Sequence, residues 1–200
     1  MTISFAVTWD YRCPFARNFH DHMVAAIQAG ADWKVHFVPF SLTQTHRDEN
    51  VASVWDDPTQ DSGLLALQVG VLVRDEHPET FPLVHRDLFA VRHDEGNRLT
   101  DASLLAAVVS RHNLDGETIT ARAIAGEAID TIRSEHERAV NDHGVWGVPT
   151  VIAHDAAVFI RLMDRSNGDA ERSRLSIERA VSLLGCWPEL NEFKHVSIPR

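Results

Sequence analysis

The sequence predicts one α/β domain whose two halves are separated by an all-helical insertion. Three observations carry that expectation. Strand-like segments occur only towards the two ends of the chain. The middle, residues 43–143, places its apolar residues at helical spacing. The end segments read strand–helix–strand and then strand–strand–helix, an order that suits a single sheet covered by helices. The expected division is therefore a sheet domain of residues 1–42 and 144–200, with 43–143 as the insertion.

Each element follows from its own residues. "ISFAVTWD" (Ile3–Asp10) is rich in β-branched and aromatic side chains and reads as a buried strand. Behind it, Phe15, Phe19, Met23 and Ile27 recur every four residues, and Val24 and Ala26 widen the stripe. With Pro14 in the first turn and Gly30 as a stop, this is an amphipathic helix from about Pro14 to Ala29. "DWKVHFVPFSL" (Asp32–Leu42) alternates Trp33, Val35 and Phe37 against Lys34 and His36, a second strand. Its short connections suit a parallel βαβ unit. Helices alone are expected from Thr43 to His143: Gly63–His77, Phe81–Gly96, Asp101–Leu114 and Gly116–Gly144, the last broken near Gly126. "GVPTVIAH" and "AAVFIRL", joined by a His154–Asp155 turn, read as an antiparallel hairpin. A final helix spans Asp169–Leu184 with Leu175, Ile177, Val181 and Leu184 inward, and the tail from Cys186 has no clear period.

Composition narrows the function. The chain has 200 residues, a formal net charge of -10 and only 19 Lys+Arg, without a basic run. Nucleic-acid and anionic-membrane surfaces need clustered cations, so neither partner is expected. No window approaches the roughly 18 apolar residues of a membrane span. "MTISFAVTWD" has no basic segment before its short apolar run, so a secretory leader is not expected and the cytoplasm is the expected compartment. Among the 12 histidines no metal-binding spacing is legible, and most are expected on solvated helix faces. A metal is not expected.

The chemistry centres on "WDYRCPFARNF" (Trp9–Phe19). Cys13 stands at a strand-to-helix junction, where the free N–H groups of the first turn and the helix dipole favour a thiolate. Arg12 and Arg17 flank it and add positive potential. The bland reading is a small buried hydrophobe. Trp9, Tyr11 and Phe15 either line an apolar pocket at Cys13 or belong to the core. In "GVWGVPT" (Gly144–Thr150) the Val148–Pro149 bond is an ordinary strand entry on local grounds, and Trp146 joins the aromatic group if the fold brings it near. Cys186, placed after the last helix, is read as a packed thiol.

These motifs, in this order, resemble the DsbA-type branch of the thioredoxin superfamily, and within it the actinobacterial DsbA-like proteins that include the mycothiol-dependent nitroreductase. "WDYRCPFARNF" is similar to that family's D-x-x-C-P-W-C junction, "KVHFVPFSLTQTHRDEN" to the next strand and loop, "GVWGVPTVI" to its cis-proline segment, and "VFI" with "DRSNGDAERSRL" to its last strand and helix. The resemblance implies a thioredoxin-like fold, a cis Val148–Pro149 bond and a Val148 backbone facing Cys13. It also implies Cys13 as nucleophile, with Pro14, Phe15, Val148, Pro149, Trp9, Tyr11 and Trp146 binding the thiol or substrate. Two departures matter. The family's second cysteine falls on Ala16, so no dithiol cycle can run within Cys13-Pro14-Phe15-Ala16. The family's Gly-Pro after the last strand is replaced by Ile160-Arg161. What the resemblance leaves is a monothiol oxidoreductase using mycothiol or glutathione and a small electrophilic or disulfide substrate. The alternatives are an enzyme like kappa-class glutathione transferases or hydroxychromene carboxylate isomerases, and a binding protein without catalysis. A homodimer stays open.

Overall fold

A computed structural model describes residues 2–153, 156–187 and 189. At its centre is β1 (Ile3–Trp9), whose residues Phe5, Val7, Thr8 and Trp9 are buried. β1 runs parallel to β2 (Trp33–Pro39), from Ile3 opposite Trp33 to Trp9 opposite Pro39. On its other side it meets β3 (Thr150–Ala153) antiparallel, and β3 pairs antiparallel with β4 (Ala156–Phe159), giving the order β2-β1-β3-β4. The crossover from β1 to β2 is α1 (Pro14–Gln28), which buries Ala16, Phe19, Met23 and Val24. α8 (Ala170–Cys186) packs on α1 and reaches β3 and β4.

The insertion is built around α3 (Leu64–Glu76), which is buried along most of its length from Leu64 to Val73. A helix apolar on nearly all sides needs neighbours on all sides. α3 has α4 (Phe81–His93), α5 (Ala102–Ser110), α6 (Gly116–Ile124) and α7 (Ile129–His143) around it. α4 also packs on α1, and α7 lies against β2, so the insertion is bound to the sheet. The break expected near Gly126 is there: Gly126 has φ +83° between α6 and α7.

Several boundaries differ from expectation. β2 ends at Pro39, because Ser41 caps the short α2 (Leu42–His46) by accepting from Gln44 N–H. The segment 47–63 is not helical: apart from a 3-10 turn at Pro58–Gln60 it is turn and loop. Its Asp, Asn and Pro content favours turns, and the Gln44 side chain holds it by accepting from Val54 N–H at 3.0 Å. The first strand of the hairpin starts at Thr150, not Gly147, and the second stops at Phe159, not Leu162. Cys186 closes the last turn of α8 instead of following it. The His154–Asp155 turn and most of the tail lie outside the described residues.

Four histidines depart from the solvated placement expected of most of them. His20, His22, His85 and His136 are buried. Each has found a hydrogen-bond partner, which offsets most of the cost of leaving water. His20 Nε2 lies 3.2 Å from Thr8 O, His85 Nε2 lies 3.0 Å from His20 Nδ1, and Tyr11 Oη lies 2.8 Å from His85 Nδ1. A carbonyl can only accept, so His20 donates to Thr8, His85 donates to His20, and Tyr11 donates to His85, with both rings neutral. This line ties β1, α1 and α4 together beneath the Cys13 segment.

Candidate active site

The turn between β1 and α1 is held by Asp10. Cys13 N–H donates to Asp10 O at 3.0 Å, and the Asp10 carboxylate accepts from Arg12 N–H at 2.8 Å. Cys13 is then the N-cap of α1, in extended geometry, with Pro14 at the first helical position. Its Sγ occupies the place a capping oxygen would fill: Ala16 N–H donates to it at 3.4 Å. Ala16, where a C-x-x-C motif would hold its second sulfur, is fully buried below it.

The opposite wall is the entry to β3. The Val148–Pro149 peptide is cis. Thr150 N–H donates to Thr8 Oγ1 at 2.9 Å, and Ile160 N–H donates to Pro149 O at 3.0 Å, so the segment is fixed from both neighbouring strands. This puts Val148 O 3.2 Å from Cys13 Sγ, with the thiol donating. Cys13 is only 9% exposed. Burial pushes its thiol above the usual range and Asp10 adds to that, while the Ala16 and Phe15 N–H groups and Arg161 pull it down. The first helical turn is thus present as expected, but desolvation outweighs it, and the resting state is a thiol.

The cations expected to help are committed elsewhere. Arg12 pairs with Asp10 at 2.7 Å and with Asp61 at 3.3 Å, and also donates to Thr43. Arg17 pairs with Asp94, which also takes Arg165 at 2.5 Å. The cation at the thiol is Arg161, which the sequence reading did not single out. Its guanidinium lies 5.2 Å from the ring centres of both Phe15 and Phe159. A charge interrupting the apolar run "VFIRL" was the available signal.

The expected aromatic pocket is only half present. Trp9 and Tyr11 are fully buried, Trp9 against Phe81 and His85, Tyr11 over Gly70 of α3. They are core, because β1 directs Trp9 to its inner face and the next turn drops Tyr11 into the notch left by a glycine. Phe15 is half-buried beside Cys13. Trp146 is 57% exposed and stacks on Phe159 at 4.7 Å. The surface next to Cys13 is therefore a strip of Phe15, Arg161, Phe159 and Trp146, with Val148 O behind it. Two adjoining clefts of about 360 and 170 Å³ lie elsewhere, between α1, α4 and the loop before α8 around Asp21, Arg86 and Arg165. Among the described residues no group of three or more His, Cys, Asp or Glu is placed to hold a metal ion, and no helix is long and apolar enough to cross a membrane.

Residues 6–168 match the family model described as the DSBA-like thioredoxin domain. The chain belongs to that family. The match runs from β1 through the whole insertion to the loop before α8, so in this DSBA-like chain the helices are part of the family's domain. A comparison with curated proteins finds no match. Solved structures share the fold at low identity. The cytosolic disulfide reductase DsbM from Pseudomonas aeruginosa, solved with GSH, is 14% identical with a TM-score of 0.61, over 90% of this chain and 100% of that one. BdbD from Bacillus subtilis is 17% identical with a TM-score of 0.59, over 90% and 87%. A 2-hydroxychromene-2-carboxylate isomerase is 12% identical with a TM-score of 0.65, over 91% and 97%.

Proposed function

We propose that this DSBA-like chain is a monothiol oxidoreductase in which Cys13 exchanges with a low-molecular-weight thiol. The observation that carries the reading is the pairing of Cys13 Sγ with Val148 O across a cis-proline wall, with Ala16 in the second-cysteine position. The chemistry has one sulfur from the protein. The Cys13 thiolate attacks a disulfide, its own bond to the nearer sulfur forms, and the other sulfur leaves as a thiolate that takes up a proton. A second small thiol then attacks the mixed disulfide and releases Cys13. Glutathione and mycothiol are the candidate thiols, and the cytoplasm is the compartment that supplies them. The solved DsbM complex with GSH supports a small thiol as a partner within this fold.

One observation favours a second reading. The thiol is held protonated and is already a hydrogen-bond donor. In that form Cys13 would polarise a bound cofactor thiol without forming a bond to it, as the isomerase-like alternative requires.

Intact-mass analysis separates the two. Incubation with glutathione disulfide is expected to add one glutathionyl group, mapped to Cys13 and absent from Cys13→Ser. An unmodified Cys13, or an adduct on Cys186 alone, would sink the exchange mechanism.

A further inference from the structure

Resting on the monothiol reading, we infer that Arg161 selects a carboxylate-bearing thiol for Cys13. Three observations carry this. First, Arg12, Arg17 and Arg165 are each neutralised by aspartates, whereas Arg161 has no carboxylate or hydrogen-bond partner among the described residues. Second, its guanidinium is steered by two aromatic rings, Phe15 next to Cys13 in sequence and Phe159 at the end of β4. Cation–aromatic contacts fix the group laterally but leave its N–H edge free, and that edge is built for bidentate carboxylate recognition. Third, Arg161 is exposed, so its N–H edge is open to a solute approaching the site.

Arg161 is held against Phe15, two residues after Cys13, while the Cys13 Sγ lies 3.2 Å from Val148 O. A disulfide whose carboxylate rests on Arg161 presents its sulfur to Cys13 from the solvent side. Of the two thiols named above, only glutathione carries free carboxylates, and it is the one this arrangement favours.

The test is the rate of Cys13 adduct formation with two disulfides, glutathione disulfide (anionic) and bis(2-hydroxyethyl) disulfide (neutral). Taking the ratio of the rates cancels any change in the acidity of the thiol itself. In the wild type the ratio should favour glutathione disulfide and fall as salt is added. Arg161→Gln should lower it roughly fivefold, the scale of one solvent-accessible ion pair, and Arg161→Lys, which keeps the charge but not the bidentate edge, should restore only part of it. An unchanged ratio in Arg161→Gln, with both disulfides still reacting, would overturn the selectivity and leave the monothiol mechanism standing. If neither disulfide modifies Cys13, both fall together.

Discussion

At Cys13 two opposing influences meet in one residue. The helix start supplies N–H groups that favour a thiolate, while burial and the Asp10 carboxylate favour the thiol, and the balance goes to the thiol. The pH dependence of iodoacetamide alkylation should therefore have its midpoint above the ordinary cysteine range near 8.5. A midpoint below 7.5 would mean that the helix start dominates. Tyr11 makes a second residue-scale case. A Cβ on Gly70 would overlap Tyr11 Oη, so Gly70→Ala must push the ring aside and break its bond to His85. The expected loss is about 1–3 kcal/mol in urea denaturation. None of this could be read from "WDYRCPFARNF" alone. The residue types were legible as a chemical site, but the sequence does not say that Trp9 and Tyr11 face inward, because an aromatic residue at a strand end suits a core and a pocket equally well.

Arg12 shows how elements are joined. It answers two carboxylates whose side chains are fully buried, Asp10 after β1 and Asp61 before α3. Burial already pushes the Asp61 carboxyl above its usual range despite the arginine. Arg12→Leu would leave two buried acids uncompensated, at a cost of about 3–5 kcal/mol, and adding Asp61→Asn should recover part of it in the double variant. A single variant within 1 kcal/mol of wild type would show that the cluster contributes little. The contact between α5 and α6 is equally local in origin. Gly116 starts α6 so close to Ala106 O that a Cβ there would overlap it. Gly116→Ala is expected to lower Tm by several degrees, since here backbone would have to move. The helices themselves were plain in the sequence, from Asp101 at the start of α5 to the break at Gly126, whereas the Asp115 cap of α6 came only with the structure. The loop 47–63 was not, because its order comes from tertiary bonds such as Gln44 to Val54 and not from a periodic pattern.

Across the whole molecule, buried histidines couple folding to pH. Burial lowers His20 and His136 to about 4 and His85 well below its usual value. The unfolded chain would protonate all three near 6.5, so it binds more protons than the folded one below that pH. Stability is thus fully present above about pH 7 and falls as pH drops from 6.5 towards 4, by about 1.4 kcal/mol per pH unit for each histidine. Urea midpoints measured between pH 7 and 4.5 should show this slope, and His136→Gln should flatten it; a pH-independent midpoint would contradict the buried, neutral state. The sequence by itself determined the order of elements and the placement of the helical block. It also marked Cys13 at the mouth of a helix, because periodicity, caps and helix breakers are properties of neighbouring residues, whereas Pro149 stood out only through the resemblance to the DsbA-type family. Only the tertiary structure decided which histidines are buried and which aromatics remain at the surface. It also decided which arginine is left unpaired beside the sulfur. Those depend on what chain segments far apart in sequence leave for each other, on how much water they exclude and on which charges they have already used.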